Sequence, residues 1–168
     1  GRARLNAAVF DIVTENEIVV EQNTGGRATF KNAGHTDRAG VELGAETLLG
    51  GPLEARVAWT YLQAEFRESF NTVTGTPATP VTVPAGSLIP GVPRSQAYGE
   101  LAWRKEGFYA LLEALYRSRV AVNDQNSEFA GSFAVLNLVL GLEQRGARWR
   151  VTEFVRVDNL GDKAYIGS

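Results

Sequence analysis

The 168-residue sequence predicts an all-β fold: an antiparallel up-and-down meander of about seven long strands, forming a segment of a transmembrane β-barrel. Three observations predict it. Apolar and polar residues alternate with period two through most of the chain, so each strand carries one apolar and one polar face. The alternating runs extend over roughly 10 to 14 residues, against a globular mode of about 5–6 and a tilted membrane strand of about 9–11. Alternate connections are short, while one on the opposite end is very long, the asymmetry expected between the two rims of a membrane barrel.

The elements follow in order. Leu5 to about Val20 carries Val9, Phe10, Ile12, Val13, Ile18 and Val19 and reads as one long strand or two collinear pieces, with an irregularity at Glu15-Asn16. Asn23-Thr24-Gly25-Gly26 is a hairpin turn, where glycine supplies positive φ without steric cost. The chain returns from Arg27 to Leu49, with a bulge or kink at Asn32-Ala33-Gly34. Beyond it Val41, Leu43, Ala45, Thr47 and Leu49 face one way; Gly40, Glu42, Gly44 and Glu46 face the other. After the turn Gly50-Gly51-Pro52, a strand from Leu53 to about Phe66 sets Leu53, Ala55, Val57, Trp59 and Tyr61 against Glu54, Arg56, Ala58 and Thr60.

Arg67 to Pro93 has no periodicity and holds five of the six prolines, so it reads as one long loop, either functional or disordered. Ser95 to Arg104 is a strand with Ala97, Gly99, Leu101 and Trp103 opposite Gln96, Tyr98, Glu100 and Arg104. Lys105-Glu106-Gly107 turns it into Phe108 to about Val120. Propensity there would allow a helix from Ala110 to Leu115, but both charges, Glu113 and Arg117, fall on one parity, which favours a strand. The loop Asn123 to Glu128 leads to a strand from Ser132 to Glu143, and Gln144-Arg145-Gly146-Ala147 turns into the last one. There Trp149, Val151, Val155 and Val157 oppose Arg150, Thr152, Arg156 and Asp158, before Asn159, Gly161 and Asp162 end the strand with turn chemistry.

Composition narrows the function classes. A formal charge of −2 gives no nucleic-acid footprint. With no cysteine and one histidine, a disulfide framework and a Cys/His zinc site are excluded. No nucleophile–base pair, phosphate loop or metal-ligand cluster is present, so no catalytic residue, metal ligand or cofactor is expected and the protein does not read as an enzyme. His35, at the kink, reads as structural or solvated rather than as a ligand; Asp158 to Asp162 reads as a turn rather than a calcium loop, lacking the later bidentate Glu. Arg145, Arg148 and Arg150 read as a solvated turn. No run of about 18 apolar residues occurs, which says nothing against a barrel. Both ends read as cuts through a larger protein.

Alternation alone leaves the environment open, since a soluble barrel turns its apolar face inward and a membrane barrel outward. Aromatic placement favours the membrane: Trp103, Phe108 and Trp149 flank the short turns, and Trp59, Tyr61 and Tyr116 lie toward the other end, as two interfacial girdles would. The polar face then lines a lumen, with Glu42, Glu46, Arg56, Glu100, Glu113, Arg117 and Arg156 as lumen-facing candidates whose charges alternate in sign. Facing one another, such residues stabilise by roughly 0.2–1 kcal/mol per pair, whereas an Arg or Lys at the lipid midplane costs about 2–4 kcal/mol. Glu153 breaks the sorting by sharing parity with Val151 and Val155; a bulge or register change would rescue it.

Four stretches resemble one family in its own order. Asn32, Gly34, Gly40 and Glu42 lie in "N-A-G-H-T-D-R-A-G-V-E-L"; "A-W-T-Y-L-Q-A" follows from Ala58 to Ala64; Pro90, Gly91 and Pro93 lie in "G-S-L-I-P-G-V-P"; and Asn159, Leu160, Asp162 and Tyr165 close the series in "V-D-N-L-G-D-K-A-Y". Together they resemble TonB-dependent outer-membrane receptors, with Gly161 in place of the usual Phe. The resemblance implies that residues 1–168 are the C-terminal portion of a barrel of roughly 22 strands, without its plug and last strand. It implies a place in the outer membrane of a Gram-negative bacterium. It implies as partners outer-membrane lipid, the protein's own plug domain, the inner-membrane TonB complex and a transported small molecule or metal complex, most often a ferric siderophore. A passive porin-like or adhesive barrel, and a soluble β-barrel or sandwich that binds a ligand, are the alternatives.

Overall fold

The structure is a computed structural model that describes residues 3–24, 27–74 and 79–166. Its strands are β1 (Ala3–Thr14), β2 (Ile18–Thr24), β3 (Arg27–Asn32), β4 (Thr36–Gly50), β5 (Leu53–Phe66), β6 (Phe70–Thr74), β7 (Thr79–Val83), β8 (Ser95–Lys105), β9 (Phe108–Arg117), β10 (Val120–Ala121), β11 (Phe129–Ala130), β12 (Phe133–Arg145) and β13 (Arg150–Val157). Seven of them form one antiparallel sheet in the order β1-β4-β5-β8-β9-β12-β13. This is the up-and-down meander expected of a barrel segment. The other six pair as three short hairpins, β2-β3, β6-β7 and β10-β11, all at one end of the sheet.

The short turns lie at the opposite end. Glu106 and Gly107 have φ of 53° and 87°, the two left-handed residues of a tight hairpin turn whose twist matches its strands. At Gly107 a Cβ would stand 2.6 Å from the Glu143 carbonyl oxygen, so no side chain fits. One register shift interrupts the long pairings, between Leu48 and Gly50 beside the Gly50-Gly51 turn.

The first run is two strands, not one. β1 ends at Thr14, Asn16 takes φ 58°, and β2 leaves the main sheet to pair with β3. The returning chain breaks at the same level. Asn32 accepts a hydrogen bond from Gly34 N–H at 2.7 Å and donates one to the Asn16 side chain at 2.8 Å, while Gly34 takes φ 76°. Glu17 and the 33–34 backbone close the corner through Ala33 N–H to Glu17 O (2.8 Å) and Glu17 N–H to Gly34 O (3.0 Å). Gly34→Ala is expected to cost about 1–3 kcal/mol, because alanine resists this φ and its methyl would meet the Glu68 carboxylate; thermal melting of the full-length protein checks it. The turn expected at Asn23 to Gly26 falls partly on Gly25 and Gly26, outside the described residues.

The expected structureless loop from Arg67 to Pro93 instead contains the β6-β7 hairpin, registered Phe70↔Val83 to Thr74↔Thr79. Thr and Val carry the strand preference there, and Pro80 sits in an isolated two-strand ribbon, where a missing N–H is tolerated. The strand expected to reach Val120 stops at Arg117, and Val120–Ala121 pairs with Phe129–Ala130. No bulge rescues Glu153: β12 and β13 pair without interruption, with Glu153 opposite Leu142.

The apolar core lies beyond the hairpin end of the sheet. Ala33, Phe66 and Val83 are buried together, with Val19, Phe70 and Ile89 against them. Large side chains on the sheet's apolar face stay exposed instead, among them Leu43, Val57, Trp59, Leu101, Trp103, Leu140 and Val155. A single-layer sheet open on this face fits contact with lipid rather than burial in a globular core.

Candidate functional site

The polar face and the three hairpins above it form the candidate site. One cross-strand row runs Arg4↔Glu46↔Arg56↔Glu100↔Glu113↔Asn137 through β1, β4, β5, β8, β9 and β12. Its centre is Arg56, whose guanidinium meets Glu54 at 2.7 Å, Glu46 at 3.2 Å and Glu100 at 3.4 Å. Arg156 reaches from β13 to Glu113 at 3.1 Å and also holds Asp158 at 2.7 Å. Arg104 lies 3.8 Å from Glu54.

The expected alternation of sign fails at one step, where Glu100 faces Glu113 directly. Like charges directly opposite are destabilising. The Tyr98 hydroxyl lies between them, donating to Glu100 at 2.6 Å and standing 3.4 Å from Glu113, with Arg56 and Arg156 on the two flanks. The remaining candidates are more dispersed. Glu42 stands between Ala8 and Thr60, and Arg117 turns to the loops, donating to Gly91 O at 2.9 Å.

Glycines on this face give aromatic rings room to lie flat on the sheet. Phe10 covers Gly40, where a Cβ would meet its ring at 2.5 Å and the Tyr61 carbonyl oxygen at 2.6 Å. Tyr109 covers Gly141 in the same way. Gly141→Val is expected to lower stability by about 1–3 kcal/mol by displacing that ring, whereas Gly99→Ala, whose methyl would find only Ala114 at 3.9 Å, should be tolerated. Melting of both variants of the full-length protein checks the contrast.

Segment 84–94 is a strap laid across the hairpin end of the sheet. Phe66 N–H donates to Ser87 O (2.9 Å), Ile89 N–H to Ala64 O (3.0 Å), and Leu62 N–H to Arg94 O (2.9 Å). From its other side Asn126, at φ 55°, holds both backbone groups of Leu88: its Oδ1 accepts from Leu88 N–H at 2.6 Å and its Nδ2 donates to Leu88 O at 2.9 Å. Gly91 N–H donates to Ala121 O at 3.0 Å. Pro90 and Gly91 thus sit in the strap and Pro93 is buried beneath it. The strap ties the second loop to the third. Asn126 was not among the expected site residues, because an Asn within a polar loop carries no signal of a partner 38 residues away in the chain.

Burial raises the Asp124 carboxyl above its ordinary range, with Lys31 on the first hairpin pulling the other way. A raised carboxyl binds its proton more readily in the folded loop, so the burial penalty vanishes below the unfolded value and is fully present above the raised one. Asp124→Asn is therefore expected to raise the amide protection of residues 123–126 near neutral pH and to abolish the change in that protection as the carboxyl titrates, read after correction for the intrinsic exchange rate.

The terminal motif folds into a hydrogen-bonded turn against β12. Asn159 N–H donates to Asn137 Oδ1 at 2.9 Å, and its side chain bridges Lys163 N–H (3.0 Å) and Lys163 O (3.1 Å). Leu160 N–H donates to Leu136 O at 2.8 Å, Asp162 takes φ 45°, and Tyr165 stacks on Phe133 at 4.4 Å. His35 pairs with Glu68 at 2.6 Å, with Glu15 3.9 Å away on the other ring nitrogen. Of the three turn arginines, Arg145 and Arg150 both address Glu143.

The family model for the TonB-dependent receptor-like β-barrel matches residues 1–160. The chain belongs to the TonB-dependent receptor family. Solved structures share the fold. The siderophore receptor PiuA of Acinetobacter baumannii superposes with a TM-score of 0.76 at 21% identity, over 97% of this chain and 22% of that one. The ferric yersiniabactin uptake receptor FyuA of Yersinia pestis gives 0.69 at 23% identity, over 97% and 23%. The copper transporter OprC gives 0.72 at 18% identity, over 99% and 24%. The chain thus spans less than a quarter of the length of these receptors. The TonB-dependent receptor motifs are dispersed in this structure over the corner, the strands β4 and β5, the strap and the terminal turn, and do not converge on one point.

Proposed function

We propose that this chain is the C-terminal portion of the barrel of a TonB-dependent outer-membrane receptor, and that the whole protein takes up a ferric siderophore or related metal complex. The observation that carries the reading is the sorting of the sheet: a belt of paired charges centred on Arg56 on one face, and exposed leucine, valine and tryptophan on the other. In this reading the face bearing Glu42, Glu46, Arg56, Glu100, Glu113, Arg117 and Arg156 lines a water-filled lumen occupied by the plug. The apolar face meets outer-membrane lipid. The short turns point to the periplasm and the strapped hairpins to the exterior. The plug, the last strand and the contact with the TonB complex belong to the rest of the protein. Energy comes from the inner membrane and the cargo crosses unchanged, so no catalytic group is required. The names of the related structures, a siderophore receptor, a ferric yersiniabactin uptake receptor and a copper transporter, support a metal complex as cargo.

The test is uptake in cells carrying the full parent gene, with and without functional TonB, across ferric siderophores, haem, copper and cobalamin. Uptake of one of the metal complexes that stops without TonB is the expected result. Surface expression with no energised uptake of any of them would contradict the reading and favour a passive barrel or an adhesin.

A further inference from the structure

Glu153 is a carboxylate on the apolar face of the sheet. Uninterrupted pairing with β12 fixes it there, opposite Leu142, and its row continues through Phe108 to Lys105. Phe108 directly follows a short turn and Lys105 directly precedes it, so the row lies at the level where a barrel wall leaves hydrocarbon for headgroups. Among the described residues Glu153 has no cationic partner. Beside it lies an open apolar hollow of about 320 Å³, lined by Phe108, Leu140, Leu142, Phe154 and Val155. An acyl chain fits the hollow. The charge that fits the carboxylate is a primary ammonium, able to donate hydrogen bonds to it.

We infer that the membrane-facing side of β9, β12 and β13 is a binding site for one phospholipid with a primary-amine headgroup, phosphatidylethanolamine, with the ammonium on Glu153 and an acyl chain along Leu140 and Val155. The inference rests on the barrel reading, which puts the short-turn rim in the periplasmic, phospholipid leaflet. The carboxylate supplies the selectivity. A quaternary ammonium has no N–H to donate, and an anionic headgroup is repelled by Glu153. A charge-assisted hydrogen bond at such a site is worth about tenfold in affinity.

The experiment uses the full-length receptor, wild type and Glu153→Gln, folded in detergent with its heat-modifiable gel migration intact. It is offered an equimolar mixture of phosphatidylethanolamine, phosphatidylcholine and phosphatidylglycerol, and retained lipids are counted by native mass spectrometry. Wild type is expected to retain one phosphatidylethanolamine about tenfold over the other two, Glu153→Gln to lose the preference, and Glu153→Asp to keep part of it. Equal retention of all three lipids by wild type would overturn the inference. A preference that survives in Glu153→Gln would also overturn it. Failure of the wild type to form a heat-modifiable barrel would instead count against the membrane reading itself.

Discussion

Replacing Phe66 with alanine is expected to cost about 3–5 kcal/mol, the largest effect of any single substitution in the hairpin layer. Phe66 is 1% exposed and fills the space between Ala33 and Val83, with Phe70 edge-on at 4.8 Å. Its backbone holds both ends of a tight turn, donating to Ser87 O and accepting from Gly86 N–H at 2.7 Å. Removing the ring leaves a cavity where the end of β5, the β6-β7 hairpin and the corner at Ala33 meet. The loss should therefore be local. Amide exchange in the full-length receptor is expected to speed up across residues 67–94, while Ala97 to Trp103, held in the sheet, keep their protection. Loss of protection in both regions together would mean that the hairpin layer and the sheet unfold as one unit.

The second large effect is on the opposite side of the molecule's design. Leu101→Arg is expected to destabilise the barrel by about 2–4 kcal/mol, the cost of placing a guanidinium at the lipid midplane. Leu101 lies midway along β8 on the exposed apolar face, opposite Ala55 and Leu112. Thr60→Arg makes the contrasting case. Thr60 lies on the polar face directly across from Glu42, so the new cation gains a partner and should cost little. Refolding the two variants into lipid vesicles and comparing their urea midpoints reads the difference. A similar penalty for both would mean that the two faces do not meet different solvents.

How much of this was legible in the sequence follows from the range of the interactions concerned. Strand bounds were legible where two neighbours impose the same register. The strand read from Leu53 to about Phe66 is β5, because a half-exposed strand must alternate and the turn glycines before it punctuate it. The faces were legible for the same reason. Partners across strands were less so. That Glu100 would face Glu113, with Tyr98 between them, depends on the relative register of β8 and β9, which the alternation fixes only to within two residues. The strap was legible as a motif at Pro90, Gly91 and Pro93, but its purpose was not, since its partners Ala64, Ala121 and Asn126 come from elements distant in sequence. The β6-β7 hairpin was missed because prolines in a threonine-rich stretch obscure period two. Glu153 was noticed as an exception and misjudged as a register error; it remains on the apolar side near the short-turn rim, where a charge is cheaper than at the midplane.

In the proposed barrel the apolar face of the sheet meets lipid while the charged face meets the lumen. The most direct measurement is a spin-label scan along β8 in the full-length receptor in bilayers, with single cysteines introduced from Ala97 to Trp103. This chain has no native cysteine to remove. A period of two is expected: labels at 97, 99, 101 and 103 accessible to membrane-dissolved oxygen, and labels at 98, 100 and 102 shielded from it. Oxygen accessibility that peaks at Tyr98, Glu100 and Ala102, or that shows no period at all, would mean that the apolar face does not meet lipid.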